Sequence, residues 1–309
     1  MNGLYFIRRE ELNQQPAHPQ ADALKLLAKQ GRLEIMHQHI LRGASVWIAP
    51  MNSADDIEFF HICSGAVRFS AGDWEITLHT GDSFHTHELT NEVVLDILED
   101  TDVLYVSTMP VFDDSVNYQN ELMHLLRQID AKDHYTFQHS VNVRNYSIQL
   151  WQAFPERQSG SFGDLVLASL FHDVGKCGIP DSILKKPGAC TAEEFEIMKT
   201  HAAASGDLLA KHFPGMAVSY ARQHHERLNG SGYPAHLSGD QIPFESRVIA
   251  LADAFDAMTT TRTYNTPRPA EEAALELASL PQLFDAGLAA LLLELVRTGR
   301  LVSTTPAEL

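Results

Sequence analysis

Histidine and aspartate stand side by side at His172 and Asp173, inside the apolar run "LASLFHDV", and Lys176 follows three residues later. A buried charge of this kind is strongly disfavoured unless it is paired or holds a cation. His139 lies upstream, and His201, the pair His224 and His225, and Asp253 lie downstream. Imidazole nitrogen and carboxylate oxygen together suit first-row transition ions such as iron, manganese, nickel or zinc, whereas magnesium favours oxygen alone. Neighbours on a helix point about 100° apart, so His224 and His225 are expected to serve two different ions. Asp173, with two oxygens, is placed to bridge them. Lys176 shares the face of His172 and Asp173 if their helix continues that far. Each histidine alone is more often a hydrogen-bonded or exposed side chain than a ligand. Their recurrence in one helical region beside a glycine-rich loop reverses that reading.

Ligands so far apart in sequence meet only where facing helices project them inward. From about Val116 onward apolar residues recur three and four apart, as in "YTFQHSVNVRNYSIQLWQAF" and "FGDLVLASLFHDV". Thr191 opens Thr-Ala-Glu-Glu, a capping box expected to start a helix that runs to Pro214. Further helices are expected over Met216 to Glu226, Phe244 to Thr260, Ala270 to Leu280 and Asp285 to Thr298. The first part of the chain reads differently. From about Gly43 to Met109, short β-prone runs alternate with turn signals such as Ser64-Gly65, Gly72-Asp73 and Gly81-Asp82, the pattern of a sandwich or small barrel. Before it, a loop around "QQPAHPQAD" is expected to lead into a first helix, Ala21 to Gly31.

The whole chain sets limits on function. Its 309 residues favour about two domains, and 44% hydrophobic with 20% charged residues is an ordinary globular composition. A formal charge of −17 argues against nucleic acid or an anionic membrane as partner, because both require clustered Lys and Arg. An anionic ligand must instead meet local positive charge, which bound metal ions supply. Three scattered cysteines, Cys63, Cys177 and Cys190, fit neither a disulfide framework nor a thiolate zinc site, and suggest a reducing, cytoplasmic setting. The N-terminal residues carry charges where a signal peptide needs an apolar core, and no run is expected to enter a membrane.

The helical part resembles the HD-GYP family of metal-dependent phosphohydrolases. The resemblance rests on "YTFQHS", "HDVGKCGIPDSIL", "EEFEIMKTH", "HHERLNGSGYP" and "VIALADAFDAMTTTRTY", in that order, over roughly Asn120 to Ala290. It implies an all-α HD bundle that hydrolyses the bacterial messenger cyclic di-GMP to linear pGpG and onward to GMP. It implies two divalent transition metal ions, with iron or manganese favoured over nickel or zinc. By the same resemblance the ligands are His139, His172, Asp173, His201, His224, His225 and Asp253, with Asp173 bridging. Asp173 and Lys176 are the catalytic pair, and Lys176 lies against the scissile phosphate. Gly232, Tyr233 and Pro234 shape the substrate side, and Arg262 and Tyr264 meet the nucleotide. Asp256, one turn after Asp253, is read as a partner of Arg262. Two departures stand out: Tyr135 replaces a Glu that holds a third metal in some members, and Asn265 stands where a Lys is common.

The stretch "DIEFFHICSGAVRFSAGDWEITLHTGDSF" resembles a cupin, with Glu58, Gly65 and Gly81 in familiar places. The usual cupin metal histidines are missing from "MNSADD" before Glu58. His85 and His87 share one strand face but are read as barrel or surface residues. The expected organisation is therefore multi-domain α and β: a cupin-like all-β barrel over 1–112, sensory or regulatory, a helical linker over 113–132, and an all-α HD-type bundle over 133–309. An unknown small ligand for the barrel and a homodimer are the further partners considered. Two other functions stay open: a silent receptor for the cyclic dinucleotide, and an HD phosphohydrolase for another nucleotide.

Overall fold

The computed structural model describes residues 24–301 except 43, 51–52, 54, 72–73, 90–91, 116, 118–120, 122–123, 126–133, 187, 214 and 261–266. Two compact units divide the chain, residues 1–120 and 121–309.

Among the described residues, the first unit holds nine antiparallel strands: β1 (Lys25–Gln30), β2 (Leu33–Ile40), β3 (Ser45–Ile48), β4 (Ile57–Ser64), β5 (Ala66–Ala71), β6 (Trp74–His79), β7 (Ser83–His87), β8 (Val93–Ile97) and β9 (Thr101–Ser107). They form one sheet in the order β1-β2-β9-β4-β7 and another in the order β3-β8-β5-β6. Period-2 alternation turns Ile40, Ile62, Val67, Phe69, Leu95, Ile97 and Val103 into a shared apolar core. This is the all-β architecture expected for the region, two antiparallel sheets around one apolar core.

The helix expected over Ala21 to Gly31 is corrected: Lys25–Gln30 is β1, an edge strand that pairs with β2 through a turn at Gly31 and Arg32. "LKLLAK" has good helix propensity, but ladder hydrogen bonds to β2 override so weak a preference. β2 itself was hidden because its buried alternate positions include Glu34 beside Met36 and Ile40.

The second unit is helical. Its helices are α1 (His134–Gln152), α2 (Phe162–Phe171), α3 (Asp181–Leu184), α4 (Ala192–His212), α5 (Met216–Arg222), α6 (Phe244–Thr259), α7 (Ala270–Ala278) and α8 (Ala286–Arg297). The Thr191 capping box is formed in full, and Asp285 caps α8 through the amides of Gly287 and Leu288. α2 is buried along nine of its ten residues, so it serves as the central rod of the bundle. Residues 112–115 are helical, while most of the expected 113–132 linker lies outside the described residues. Among the described residues no helix is long and apolar enough to cross a membrane.

Candidate metal and catalytic centre

α2 ends at Phe171, leaving His172 as its cap and Asp173 outside helical geometry. The chain then tightens into a 3-10 turn, Val174–Gly178. Lys176 therefore does not continue the helix, yet its Nζ donates to Asp173 Oδ2 at 2.5 Å. The turn lies hard against α4: a Cβ on Gly175 would come within 2.1 Å of the His201 carbonyl and 2.6 Å of Ser205 N. Only glycine lets the backbone approach so closely.

The seven expected residues converge in two groups. Asp173, His201, His224 and His225 offer ligand atoms that all lie within 4.8 Å of one another, as do those of His139, His172 and Asp253. Asp173 belongs to both neighbourhoods. Its Oδ1 is 3.2 Å from His201 Nε2 and 3.9 Å from His224 Nε2, while its Oδ2 is 3.4 Å from His172 Nε2 and 3.7 Å from His139 Nε2. His224 and His225, expected to serve two different ions, both offer atoms to the first group. α5 stops at Arg222, so both histidines sit in a turn where the 100° helical step does not apply, and their rings lie 4.0 Å apart. His225 stays close to the second group, its Nδ1 4.0 Å from Asp253 Oδ2.

One device orients three of the histidines. Nδ1 of His172, His201 and His224 lies 2.7, 2.6 and 2.6 Å from the carbonyls of Ser169, Met198 and Ala221, each three residues back. A carbonyl only accepts, so Nδ1 carries the proton and, in the neutral ring, Nε2 keeps its lone pair for a cation. His139 does the same with a carboxylate: its Nδ1 donates to Asp256 Oδ2 at 2.7 Å. Asp256 also accepts from Asn142 Nδ2 and Thr260 Oγ1. Asp256 is thus a positioning group for His139, and its expected pairing with Arg262 falls outside the described residues. Arg262, Tyr264 and Asn265 lie outside the described residues.

Electrostatics prepare the same donors. Burial opposes ionisation of Asp173, but Lys176 and His172 outweigh it and hold the carboxyl well below its usual range. Asp253 is held low too, against its burial, by His139. Burial and neighbouring histidines push His224 well down, and burial takes His225 to about 3, so both are neutral near pH 7. His139 differs: burial would lower it as well, yet Asp253 and Asp256 raise it to about 9, so its Nε2 gives up a proton before it can hold a cation.

Whether these residues suit a metal is decided by the atoms left over. His172 Nε2, His224 Nε2 and Asp173 Oδ1 are buried without a hydrogen bond. Each such orphan costs about 1–3 kcal/mol, a penalty that a divalent cation removes. Five imidazoles and two carboxylates fit transition metal ions, with a shared carboxylate between two positions.

A loop closes on this centre. Buried Glu226 accepts from the amides of Ala235 (2.7 Å) and Leu237 (3.0 Å). A Cβ on Gly232 would lie 2.4 Å from Glu226 Cα and 2.5 Å from the His225 carbonyl. The tight turn brings the Tyr233 ring within 4.7 Å of the His225 ring, with Pro234 next in line. Neither Glu226 nor Asn142 was singled out from sequence. The available signals were a carboxylate directly after a histidine pair and an amide one helical turn after His139.

Among the histidines of the first unit, His85 and His87 are exposed on β7. Glu58 is buried and accepts from Tyr105 Oη and Thr86 Oγ1. Among the described residues, the His and acid groupings compact enough for an ion are the two in the helical unit.

Residues 127–288 match the HD domain family. A cyclic di-GMP phosphodiesterase of Thermotoga maritima is 45% identical over 120 residues, 38% of this chain and 33% of that protein. The 3'3'-cGAMP-specific phosphodiesterase 2 of Vibrio cholerae is 38% identical over 175 residues, 55% of this chain and 33% of that one. The chain thus spans about a third of the length of these curated relatives. Among solved structures, Bd1817, an HDG"Y"P protein from Bdellovibrio bacteriovorus, superposes with a TM-score of 0.46 at 17% identity, over 82% of this chain and all of that one. The family match takes in more than half of the sequence and contains the converging histidines and aspartates: this chain belongs to the HD domain family.

Proposed function

We propose that this chain is a cyclic dinucleotide phosphodiesterase, acting on cyclic di-GMP with two divalent transition metal ions. One ion is assigned to Asp173, His201, His224 and His225, the other to His139, His172 and Asp253, with Asp173 shared. The observation that carries this reading is that the two oxygens of one buried carboxylate face two different sets of imidazole nitrogens. When bound, such a pair of ions activates water and neutralises phosphoryl charge. The chain's own residues do the rest. Carbonyl-anchored imidazoles hold fixed tautomers, and the acidified Asp173 stays ionised for the cations. Lys176 offers an ammonium to the phosphoryl oxygens and a proton to the departing 3′ oxygen. Tyr233 and Gly232 bound the substrate side, on a loop that Glu226 pins. The product is linear pGpG, with GMP from a second cleavage. The barrel is assigned a regulatory role on a cytoplasmic enzyme.

Substrate names among the relatives include both cyclic di-GMP and 3'3'-cGAMP, which supports the cyclic dinucleotide class. The test is incubation of manganese- or iron(II)-loaded protein with each dinucleotide and chromatography of the products. The expected result is pGpG from cyclic di-GMP. Binding without turnover would support a receptor instead, and turnover confined to another nucleotide would move the substrate assignment.

A further inference from the structure

Among the described residues Phe195 is the most exposed large apolar side chain, 49% accessible on α4. Lone exposed apolar residues are commonplace and call for no explanation by themselves. This one has particular neighbours. Lys199 lies four residues on, on the same helical face, with its Nζ 5.4 Å from the Phe195 ring centroid. The same ammonium is 5.9 Å from the Tyr233 ring centroid, and Tyr233 in turn lies 4.7 Å from the His225 ring. A continuous path, Phe195 to Lys199 to Tyr233 to His225, therefore leads from solvent to the buried histidines. Lys199 is also within 2.5 Å of Glu196, but that carboxylate is 71% exposed, and ion pairs so open to water hold their partners weakly.

We propose that Phe195 and Lys199 form a purine subsite at the mouth of the centre. Phe195 stacks on one guanine of the cyclic dinucleotide, and Lys199 meets that nucleotide's phosphate or the O6 and N7 edge of its base. The assignment rests on the phosphodiesterase reading and adds two recognition residues to it. Three physical points carry it. An exposed aromatic face is a general stacking platform for a base. Guanine offers two acceptors to a cation in its plane. In a chain of formal charge −17, a rim lysine supplies local attraction for an anionic ligand.

The experiment uses the full metal-loaded chain and compares wild type with Phe195→Ala, Phe195→Tyr and Lys199→Gln. Losing one base-stacking contact is expected to raise KM for cyclic di-GMP roughly five- to hundredfold for Phe195→Ala, with kcat within about twofold. Lys199→Gln raises KM severalfold, and Phe195→Tyr restores it, because a tyrosine face stacks equally well. Calorimetric binding of cyclic di-GMP to EDTA-treated protein weakens in the same order, while metal content and melting temperature of the variants match wild type. Unchanged KM and binding in both Phe195→Ala and Lys199→Gln, in an enzyme that still hydrolyses the dinucleotide, would overturn the subsite and leave the activity standing. A KM increase accompanied by lost metal would also overturn it, since the residues would then act through the centre's structure. Failure of wild type to bind or cleave any cyclic dinucleotide would remove the underlying phosphodiesterase reading.

Discussion

The two units bury carboxylates in opposite ways. In the barrel, Glu34 takes the amides of Val111 and Phe112 and pairs with Lys29. Asp56 takes both oxygens' worth of Arg32 and the hydroxyl of Thr108. Glu58 takes Tyr105 and Thr86. Protein donors answer these charges, and the result is a fixed sheet edge and interior. In the bundle, Asp173 Oδ2 takes the Lys176 ammonium, but Oδ1 faces the Nε2 atoms of His201 and His224, whose ring protons are committed to carbonyls, and the Nε2 atoms of His224 and His172 are orphaned as well. Acceptors meet acceptors there. The difference teaches that a buried polar group with partners serves the fold, whereas a cluster of buried acceptors without donors is arranged for a cation.

The strongest way to break that contrast is Asp173→Ala. Activity is expected to fall more than about a thousandfold, since the shared carboxylate is lost to both positions. Elemental analysis should find fewer than one metal per chain; two metals with retained hydrolysis would erase the distinction. Lys176→Ala sharpens it next: kcat should drop about 10²–10³-fold with metal content unchanged, as for loss of one group that stabilises developing charge. In the barrel the corresponding change is purely structural. Asp56→Ala strands Arg32 and Thr108 and is expected to cost about 1–3 kcal/mol in urea unfolding, with metal binding intact.

The smallest effect concerns Glu58. Burial raises its pKa against the opposing hydrogen bonds of Tyr105 and Thr86. A carboxyl raised in the folded state binds its proton more tightly there than when unfolded. Its contribution to stability is therefore complete below the unfolded value of 4.5 and is lost as pH rises through the folded value. Glu58→Gln should thus stabilise the barrel by less than about 1 kcal/mol at pH 7, with the advantage gone at pH 4. Calorimetric scans at the two pH values measure it, and an equal effect at both would show that burial does not govern this group.

Much of the site was legible because metal chemistry limits residue type. His172 with Asp173, the His224 and His225 pair and Asp253 stand out by their placement on or beside expected helices, the family resemblance makes them a ligand set, and capping chemistry at Thr191 and Asp285 marks helix starts. What stayed hidden depends on where local structure stops. The pairing of His224 with His225 in one group follows from α5 ending at Arg222, a boundary without a strong stop signal. β1 was missed because its residues prefer a helix locally and become a strand only against β2. The role of Asp256 needed the crossing of α1 and α6, which brings residues 117 positions apart into hydrogen-bond contact.

The central claim, two cations sharing Asp173, is tested most directly by anomalous diffraction from crystals of manganese-loaded protein. Two peaks are expected, one among His201, His224, His225 and Asp173 and the other among His139, His172, Asp253 and Asp173. Density for neither, with those seven side chains ordered and bonded to water alone, would contradict the account.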